Sequence, residues 1–296
     1  MIYEKGKDMS VQINNLSDNS NIKVIAEAGK TTRFTILEHQ QDLSPYSAMQ
    51  SYFNSKMNVK KRQVLCKLNG SSVRTQSGAM QWTSGNVTME TGVKSVGGFL
   101  GKAVKGAVTG ESAVKPIYTG EGHLCLEPTW RYLLLEDVSQ WGAGIVLDDG
   151  LFLACDDQLK ETIVKRQNIS SALLGGEGLF NLSLSGDGIV ALESPVPREE
   201  LVEFNLVDDV VKIDGNMAIA WSSTLDFTVE KSTKSLIGSG ISGEGFVNVF
   251  RGTGKILMAP TIPGTTDVNL NGPEASVSRK SSSAGVISSV GSSLFG

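Results

Sequence analysis

The residues that most often carry catalysis and metal binding are scarce in this sequence. Its 296 residues include two histidines, His39 and His123, and three cysteines, Cys66, Cys125 and Cys155. Most metal sites and histidine-based catalytic sites need more of these residues, or need them closer together. No C-x-x-C, H-E-x-x-H or Walker-type phosphate loop is present. We therefore expect no enzyme activity, no cofactor and no metal site.

Excess basic charge and long apolar segments are also missing. Lys and Arg number 27 and Asp and Glu 31, a formal net charge of −4, which argues against nucleic acid as a partner. No apolar run reaches the length of a membrane span, and the first residues do not have the pattern of a signal peptide. An odd number of widely spaced cysteines gives no disulfide framework. These absences predict a cytoplasmic protein.

Glycine, in contrast, is abundant, with 33 residues, and it recurs in register. Three segments match: YTGEGHLCLEP (118–128), LSGDGIVALES (184–194) and FRGTGKILMAP (250–260). Their first glycines lie 66 residues apart. The paired glycines are Gly120 and Gly122, Gly186 and Gly188, and Gly252 and Gly254. Self-similarity at a fixed period indicates duplication of one structural unit.

Apolar and polar residues alternate around each glycine pair, which indicates half-buried strands. A G-x-G between strands permits the positive φ of a tight hairpin turn or a bulge. We therefore predict an all-β fold of three similar β-modules, which could close around a pseudo-threefold axis and so protect their strand edges. The first module carries about six extra residues in a Gly-rich stretch.

The chain divides at changes of composition. The predicted units are a flexible N-terminal tail (1–21), an extension of strands and a short helix (22–60), module 1 (61–128) with an amphipathic insertion (92–110), module 2 (129–194), module 3 (195–261) and a Ser/Gly-rich flexible tail (262–296). Ser44-Pro45 resembles a helix start and predicts a short amphipathic helix at about 45–57. The basic cluster of Lys60, Lys61 and Arg62 is interpreted as a solvated linker face.

The insertion has apolar residues at three- and four-residue steps, with lysines interspersed. This pattern indicates a short, glycine-weakened helix or helical loop. Three interpretations stay open: it caps one end of the β core, packs at a subunit interface, or lies on a membrane surface. The contact residues would be Val96, Phe99, Leu100 and Val104.

These motifs together resemble a known family. SVRTQSGAMQW, GNVTMETGVKSVGGFLGKAVKGAVTGES, GGEGLF, SGDGIVAL and SGEGFVNVFRGTGKILM are similar to sequences of the altered-inheritance-of-mitochondria protein 24 family, over about residues 62–260. The resemblance implies a fold like that of the trp RNA-binding attenuation protein, with three similar β-sandwich units in pseudo-threefold arrangement. The family's mitochondrial members are linked to inner-membrane organisation. It supplies no catalytic residues, and the N-terminal 60 residues and the tail depart from its plan.

Few side chains remain as candidates for chemistry. His123 aligns with Ile189 and Lys255, so it is interpreted as a tolerant surface position, while the cysteines are interpreted as small core residues. The paired aspartates suit turns, with calcium binding as the alternative; they are Asp148-Asp149 and Asp208-Asp209.

A Gly-Glu pair precedes each glycine pair, and its carboxylates are Glu111, Glu177 and Glu244. Equivalent placement could bring these three carboxylates towards one axis. The simpler interpretation is that each glutamate bonds its own turn, because buried like charges are costly.

The sequence therefore predicts a non-enzymatic β-scaffold or interaction protein that self-associates as a homo-oligomer, with a trimer as one form. The N-terminal extension and the tail would bind partners. Two alternatives remain: a peripheral membrane-associated organiser acting through residues 92–110, and small-ligand or RNA binding between modules.

Overall fold

The chain is described here by a computed structural model. It describes residues 11–16, 18–42, 44–46, 48–91, 115–165, 180–214, 217–231, 246–261, 266–268 and 277–279. This part is mostly β, as predicted. The strands are β1 (Ile22–Ala28), β2 (Arg33–His39), β3 (Arg62–Thr75), β4 (Met80–Glu90), β5 (Ile117–Leu126), β6 (Tyr132–Asp137), β7 (Ile145–Leu147), β8 (Phe152–Asp156), β9 (Lys160–Lys165), β10 (Phe180–Ser185), β11 (Ile189–Ser194), β12 (Val202–Asp214), β13 (Ala218–Ser222), β14 (Asp226–Lys231), β15 (Phe246–Met258), β16 (Thr266–Val268) and β17 (Val277–Arg279).

The strands form two large antiparallel sheets and one small one. The first has the order β1-β2-β3-β8-β11-β6, with β5 also paired to β3 and β4 paired to β5. The second has the order β12-β15-β13-β7-β10-β9, with β14 paired to β15. β16 and β17 pair only with each other among the described strands.

The predicted N-terminal helix is present as α1 (Ala48–Lys56), but it starts later than expected. The Asp42 carboxylate accepts a hydrogen bond from the Ser44 N–H at 3.0 Å, so Pro45 lies in a turn before the helix. None of the helix side chains is buried. The helix and its flanks therefore expose large apolar side chains: Tyr46, Met49, Tyr52, Phe53 and Met57.

One pairing pattern recurs around each glycine pair. The strand segment after the pair bonds to β4, β8 or β13, and each ladder has a one-residue shift at the same place, at Gln81, Leu153 or Ile219. The segment before the pair bonds to the second half of β4, to β9 or to β14. The three glycine pairs therefore occupy matching positions in their local sheets.

The glycine pairs do not form tight hairpins, which corrects that part of the turn prediction. The first and third pairs lie inside the continuous strands β5 and β15, opposite register shifts in β3 and β12. The second links β10 to β11, which belong to different sheets. The reason is that each glycine pair bends the chain between two sheet segments. The positive φ, which is 146° at Gly120 and 115° at Gly186, allows this bend and lets the neighbouring strand approach closely.

The buried apolar residues form three clusters, and each cluster combines residues from more than one of the predicted units. One is built around Phe34, Val64 and Leu124, and it also includes Leu133 of β6 and Ala191 of β11 in the same sheet. The second contains Leu147 and Leu184 of the second sheet together with Leu192 of the first. The third contains Trp221, Phe250 and Ile256 of the second sheet. In the last cluster, the ring centroids of Trp221 and Phe250 lie 5.3 Å apart.

Candidate functional site

Two edge strands of the first sheet face each other across a groove. Among the described residues, β1 pairs only with β2, and β6 pairs only with β11. The sheet curls so that Cα atoms of β1 and β6 come within 8 Å without a hydrogen-bonded ladder between them. The resulting space, here called the β1–β6 groove, has a volume of about 760 Å³.

Consecutive residues of both strands line the β1–β6 groove. Residues 25–28 of β1 and 132–136 of β6 contribute, together with Met57, which directly follows α1. Side chains of a strand alternate between two faces, so an unbroken run of lining residues means that the strand edge itself faces the groove. The floor is apolar, with Ile36 and Leu133 each buried. The groove therefore offers main-chain hydrogen-bonding groups above an apolar floor.

A buried ion pair forms one wall of the groove. The Arg62 side chain is only 6% exposed, and its guanidinium lies 2.8 Å from the Glu38 carboxylate. It also donates to the Lys60 carbonyl at 3.1 Å and stacks 4.4 Å from the centre of the Tyr132 ring. Burial, the largest influence, acts to raise the pKa of Glu38, but Arg62, Gln40 and Lys60 together lower it below its ordinary value.

Acidic side chains predominate among the other charged residues of the groove. Glu199 and Glu200 line the groove and are exposed. Glu136 lies 3.4 Å from the Arg198 guanidinium and accepts from the Trp141 indole N–H at 3.2 Å. Five glutamates and two arginines line the groove in total, so its surroundings attract positive charge.

A second, polar pocket lies where loops of the extension, module 1 and module 2 meet. Its volume is about 530 Å³. Hydroxyl groups and carboxylates line it: Thr31, Thr32, Ser71, Ser72, Asp137, Asp156, Asp157 and Asp187. Asp156 accepts from the Ile189 N–H at 2.8 Å. Burial raises the pKa of Asp156, and the nearby Asp187 charge adds to this, while the hydrogen bonds from Ile189 and Thr32 act in the opposite direction.

His123 lies beside a hydroxyl group and near a positive charge. Its Nδ1 lies 3.2 Å from the Ser84 hydroxyl, across the β4–β5 ladder. A working base usually has a third group that orients it, and a carboxylate serves that role in serine hydrolases. Here partial burial, followed by the charge of Lys67, lowers the pKa of the imidazole. The residue is half-buried, so its interpretation as a tolerant surface position stays a prediction.

The cysteines are core residues, as predicted. Cys66, Cys125 and Cys155 are all buried and free. Burial raises the pKa of Cys125 and of Cys155 to about 12, and it raises that of Cys66 as well. A thiol with a raised pKa is protonated at neutral pH and is a poor nucleophile.

The paired aspartates lie at turns and bulges. Asp208 has φ of 50°, and its N–H donates to the Thr253 hydroxyl at 3.0 Å where β12 shifts register. Asp148 accepts the Leu151 N–H through its main-chain oxygen at 3.3 Å. Within the part of the chain that the structure describes, no group of three or more His, Cys, Asp or Glu side chains is placed to hold a metal ion.

Two sets of predicted residues fall outside the described ranges. They are the carboxylates Glu111, Glu177 and Glu244 and the contact residues Val96, Phe99, Leu100 and Val104. Convergence of the carboxylates and contact through the insertion therefore stay predictions. Among the helices that are described, none is long and apolar enough to cross a bilayer.

Sequence reasoning missed the groove. It placed Arg62 on a solvated linker face, whereas Arg62 is buried beside Glu38. The two residues are 24 positions apart and meet because β2 and β3 pair antiparallel, with Glu38 opposite Arg62. The strand patterns on the two sides of the helix could have been used to predict that β2 and β3 pair.

Comparisons with known proteins agree with this fold. The family model for mitochondrial biogenesis AIM24 matches residues 55–261, which is more than half of the chain. An uncharacterised protein of Streptococcus pyogenes serotype M6 is 33% identical over 195 residues, covering 63% of this chain and 76% of that protein. A crystal structure of a Streptococcus pyogenes protein is 26% identical with a TM-score of 0.54, covering 78% of this chain and 94% of that one. The chain belongs to the mitochondrial biogenesis AIM24 family.

Proposed function

We propose that this chain is a non-enzymatic β-scaffold protein whose β1–β6 groove binds an extended segment of a partner protein. The observation that carries the proposal is the pair of strand edges that line one open groove. An unpaired edge presents a row of N–H and C=O groups, which a peptide can satisfy by adding as a further strand. Main-chain hydrogen bonds then give affinity, and the groove floor selects side chains.

The charges of the groove favour a partner segment with basic residues. Five of its seven charged lining residues are glutamates, and both arginines already lie beside one of them. A lysine or arginine near Glu199 and Glu200 would gain favourable electrostatic energy at the rim, while apolar side chains face Ile36 and Leu133. The predicted partner is therefore a short extended peptide that combines apolar and basic residues.

The scaffold consists, in this proposal, of three copies of one β-module. The matching strand pairings and the matching register shifts support the duplication. The pseudo-threefold arrangement implied by the family resemblance remains part of the proposal. Module 1 extends its sheet with β2 and β1 of the N-terminal extension, so the groove is a feature that the extension adds to the repeated unit.

The two alternative functions are ligand or RNA binding between modules and membrane contact, and the described residues include a candidate site only for the first. The polar pocket could hold a small polar ligand between modules, but its four aspartates would repel the phosphates of RNA. The membrane alternative depends on residues 92–110, which lie outside the described ranges. Both remain proposals, and the groove is the better-supported site because it combines strand edges, an apolar floor and a charged rim.

Two neighbouring residues of β1 allow a sharp test of the groove. Ile25 is 41% exposed and lines the groove, whereas Val24 is 50% exposed and does not line it. Peptides selected from a displayed random library should bind the Ile25→Lys variant about tenfold more weakly than wild type, because the new charge blocks the edge and repels basic peptides.

The Val24→Lys variant is the matched control, since it adds the same charge to the same strand. It should bind the selected peptides like wild type, as measured by fluorescence anisotropy on the full chain. Selection of no peptide, or equal binding by both variants, would contradict the proposed groove.

A further inference from the structure

Neighbouring modules are joined twice in the same way. The end of β3 pairs with β8, with Val73 opposite Asp156, Arg74 opposite Cys155 and Thr75 opposite Ala154. β7 pairs with β13 in the same sense, with Ile145 opposite Ser222, Val146 opposite Trp221 and Leu147 opposite Ala220. In each case the strand segment just before the turn of one module, the end of β3 or β7, bonds to the strand just after the turn of the next module, β8 or β13.

Residues of different modules can be matched by their partners in the strand pairings. This matching identifies a third pair of strand segments that corresponds to the two paired ones. Leu147 faces Leu182 in its own module, and 66 residues later Ile213 faces Asn248. Cys155 faces Val190, and in the first module Thr83 faces Leu124. Residues 211–213 of β12 and 82–84 of β4 are therefore the counterparts of the paired segments.

These two counterparts have no such pairing. Among the described strands, β12 pairs only with β15 and β4 pairs only with β5. Their exposure agrees with this, because every residue of β13 is buried whereas β4 has no buried residue. Val210 is 45% exposed and Val207 81% exposed on β12, and Met80 is 39% exposed on β4. Within the described ranges, the series of module junctions is thus open at both ends.

We propose that β12 of one chain pairs antiparallel with β4 of a second copy of the chain, so that the module junction continues from molecule to molecule. The pairs would be Val211 with Ser84, Lys212 with Thr83 and Ile213 with Trp82. Two different edges meet in this contact, so it is heterologous, and it adds copies head to tail into a ring or a filament. The inference rests on the module duplication proposed above, but not on the groove.

Charge favours this contact over a twofold pairing of β12 with itself. β12 carries four acidic residues and one lysine, and they are Glu203, Asp208, Asp209, Asp214 and Lys212. Two such edges would repel each other. β4 has no charged residue from Met80 to Met89, so it accepts the acidic edge without like-charge repulsion. Both edges are long, with 13 residues in β12 and 11 in β4.

A disulfide between the two edges tests the contact on the full chain. Thr83 and Lys212 are exposed, and the native cysteines are buried, so a Thr83→Cys, Lys212→Cys variant places its reactive thiols on the two edges. Opposed residues of antiparallel strands have Cα atoms about 4.5–5.5 Å apart, which suits a disulfide. Mild oxidation should convert most of the variant into covalent dimers and longer chains on a non-reducing gel, with less conversion on dilution.

Mixing the two single variants separates the alternatives. Thr83→Cys and Lys212→Cys chains of different size should give the mixed dimer and little of either homodimer. A Thr83→Cys homodimer as the main product would show twofold pairing of β4 instead, and would overturn the proposal. It would also be overturned if the double variant formed its disulfide within one chain, or formed none. Peptide binding at the groove is a separate measurement, so failure here leaves the proposed function standing.

Discussion

Replacing Gly120 by alanine is expected to cost about 3 kcal/mol or more of the free energy of unfolding. Gly120 has φ of 146°, and a Cβ there would overlap the main-chain oxygen of Asn86 and lie 3.1 Å from the Cα of Val87. These are backbone atoms of the paired strand β4, which cannot turn away as a side chain can. The variant must therefore separate β4 from β5 or lose the strand conformation. Urea unfolding followed by circular dichroism measures the loss.

The Gly150→Ala variant is the control for Gly120→Ala. It measures the loss of stability that positive φ causes without a steric clash. Gly150 has φ of 72°, and a Cβ there would have no atom within 4 Å. Gly150→Ala should therefore lose only about 1–2 kcal/mol, the usual strain of a left-handed residue. Equal losses in the two variants would show that the glycine pair is not needed for close approach of β4 and β5.

Replacing Arg62 by methionine is expected to cost about 3 kcal/mol, because it leaves the largely buried Glu38 carboxylate without its main partner. The side chains of Arg62 and Glu38 are only 6% and 13% exposed. Lys60 remains near Glu38 at 3.4 Å, but it does not replace the two guanidinium contacts. The loss is measured by urea unfolding at neutral pH.

The exposed pair of Arg33 and Glu27 provides the control. Their side chains are 55% and 45% exposed, so Arg33→Met should cost at most about 1 kcal/mol. The two variants should also differ in pH dependence. The pKa of Glu38 is lower in the folded chain than its ordinary value of 4.5, so its stabilisation is present above that value and is lost as the pH falls through the folded pKa. The gap between wild type and Arg62→Met should therefore narrow on acidification; a constant gap would contradict this account of the ion pair.

The strands and the repeated glycines could be predicted because their signals are local. Alternation over residues 22–38 predicted β1 and β2, and the glycine spacing located the matching sheet segments. Burial was harder to predict. The alternation before Gly186 suggested half-buried strands, yet Asn181 and Ser183 are buried as well as Leu182 and Leu184, so both faces of β10 are covered. The Asn181 amide is satisfied there by the Leu147 carbonyl at 3.0 Å.

The groove could not be predicted in the same way, because it depends on which edges stay unpaired. A strand pattern shows that residues 22–28 and 132–137 are extended, but not that their edges face each other. That placement follows from sheet curvature and from pairings between residues far apart in sequence. The same reasoning applies to β4 and β12. Only comparison with the two formed junctions shows that their edges lack the corresponding partner among the described strands.

Amide hydrogen exchange along β1 tests the central claim of a strand-binding groove most directly. The full chain is measured with and without a peptide selected for binding. An added strand would bond to the groove-facing edge of β1. The amides of residues 25–28 that do not bond to β2 should therefore exchange at least about tenfold more slowly when the peptide is bound. Unchanged exchange along both β1 and β6, with protection confined to other parts of the chain, would contradict the claim.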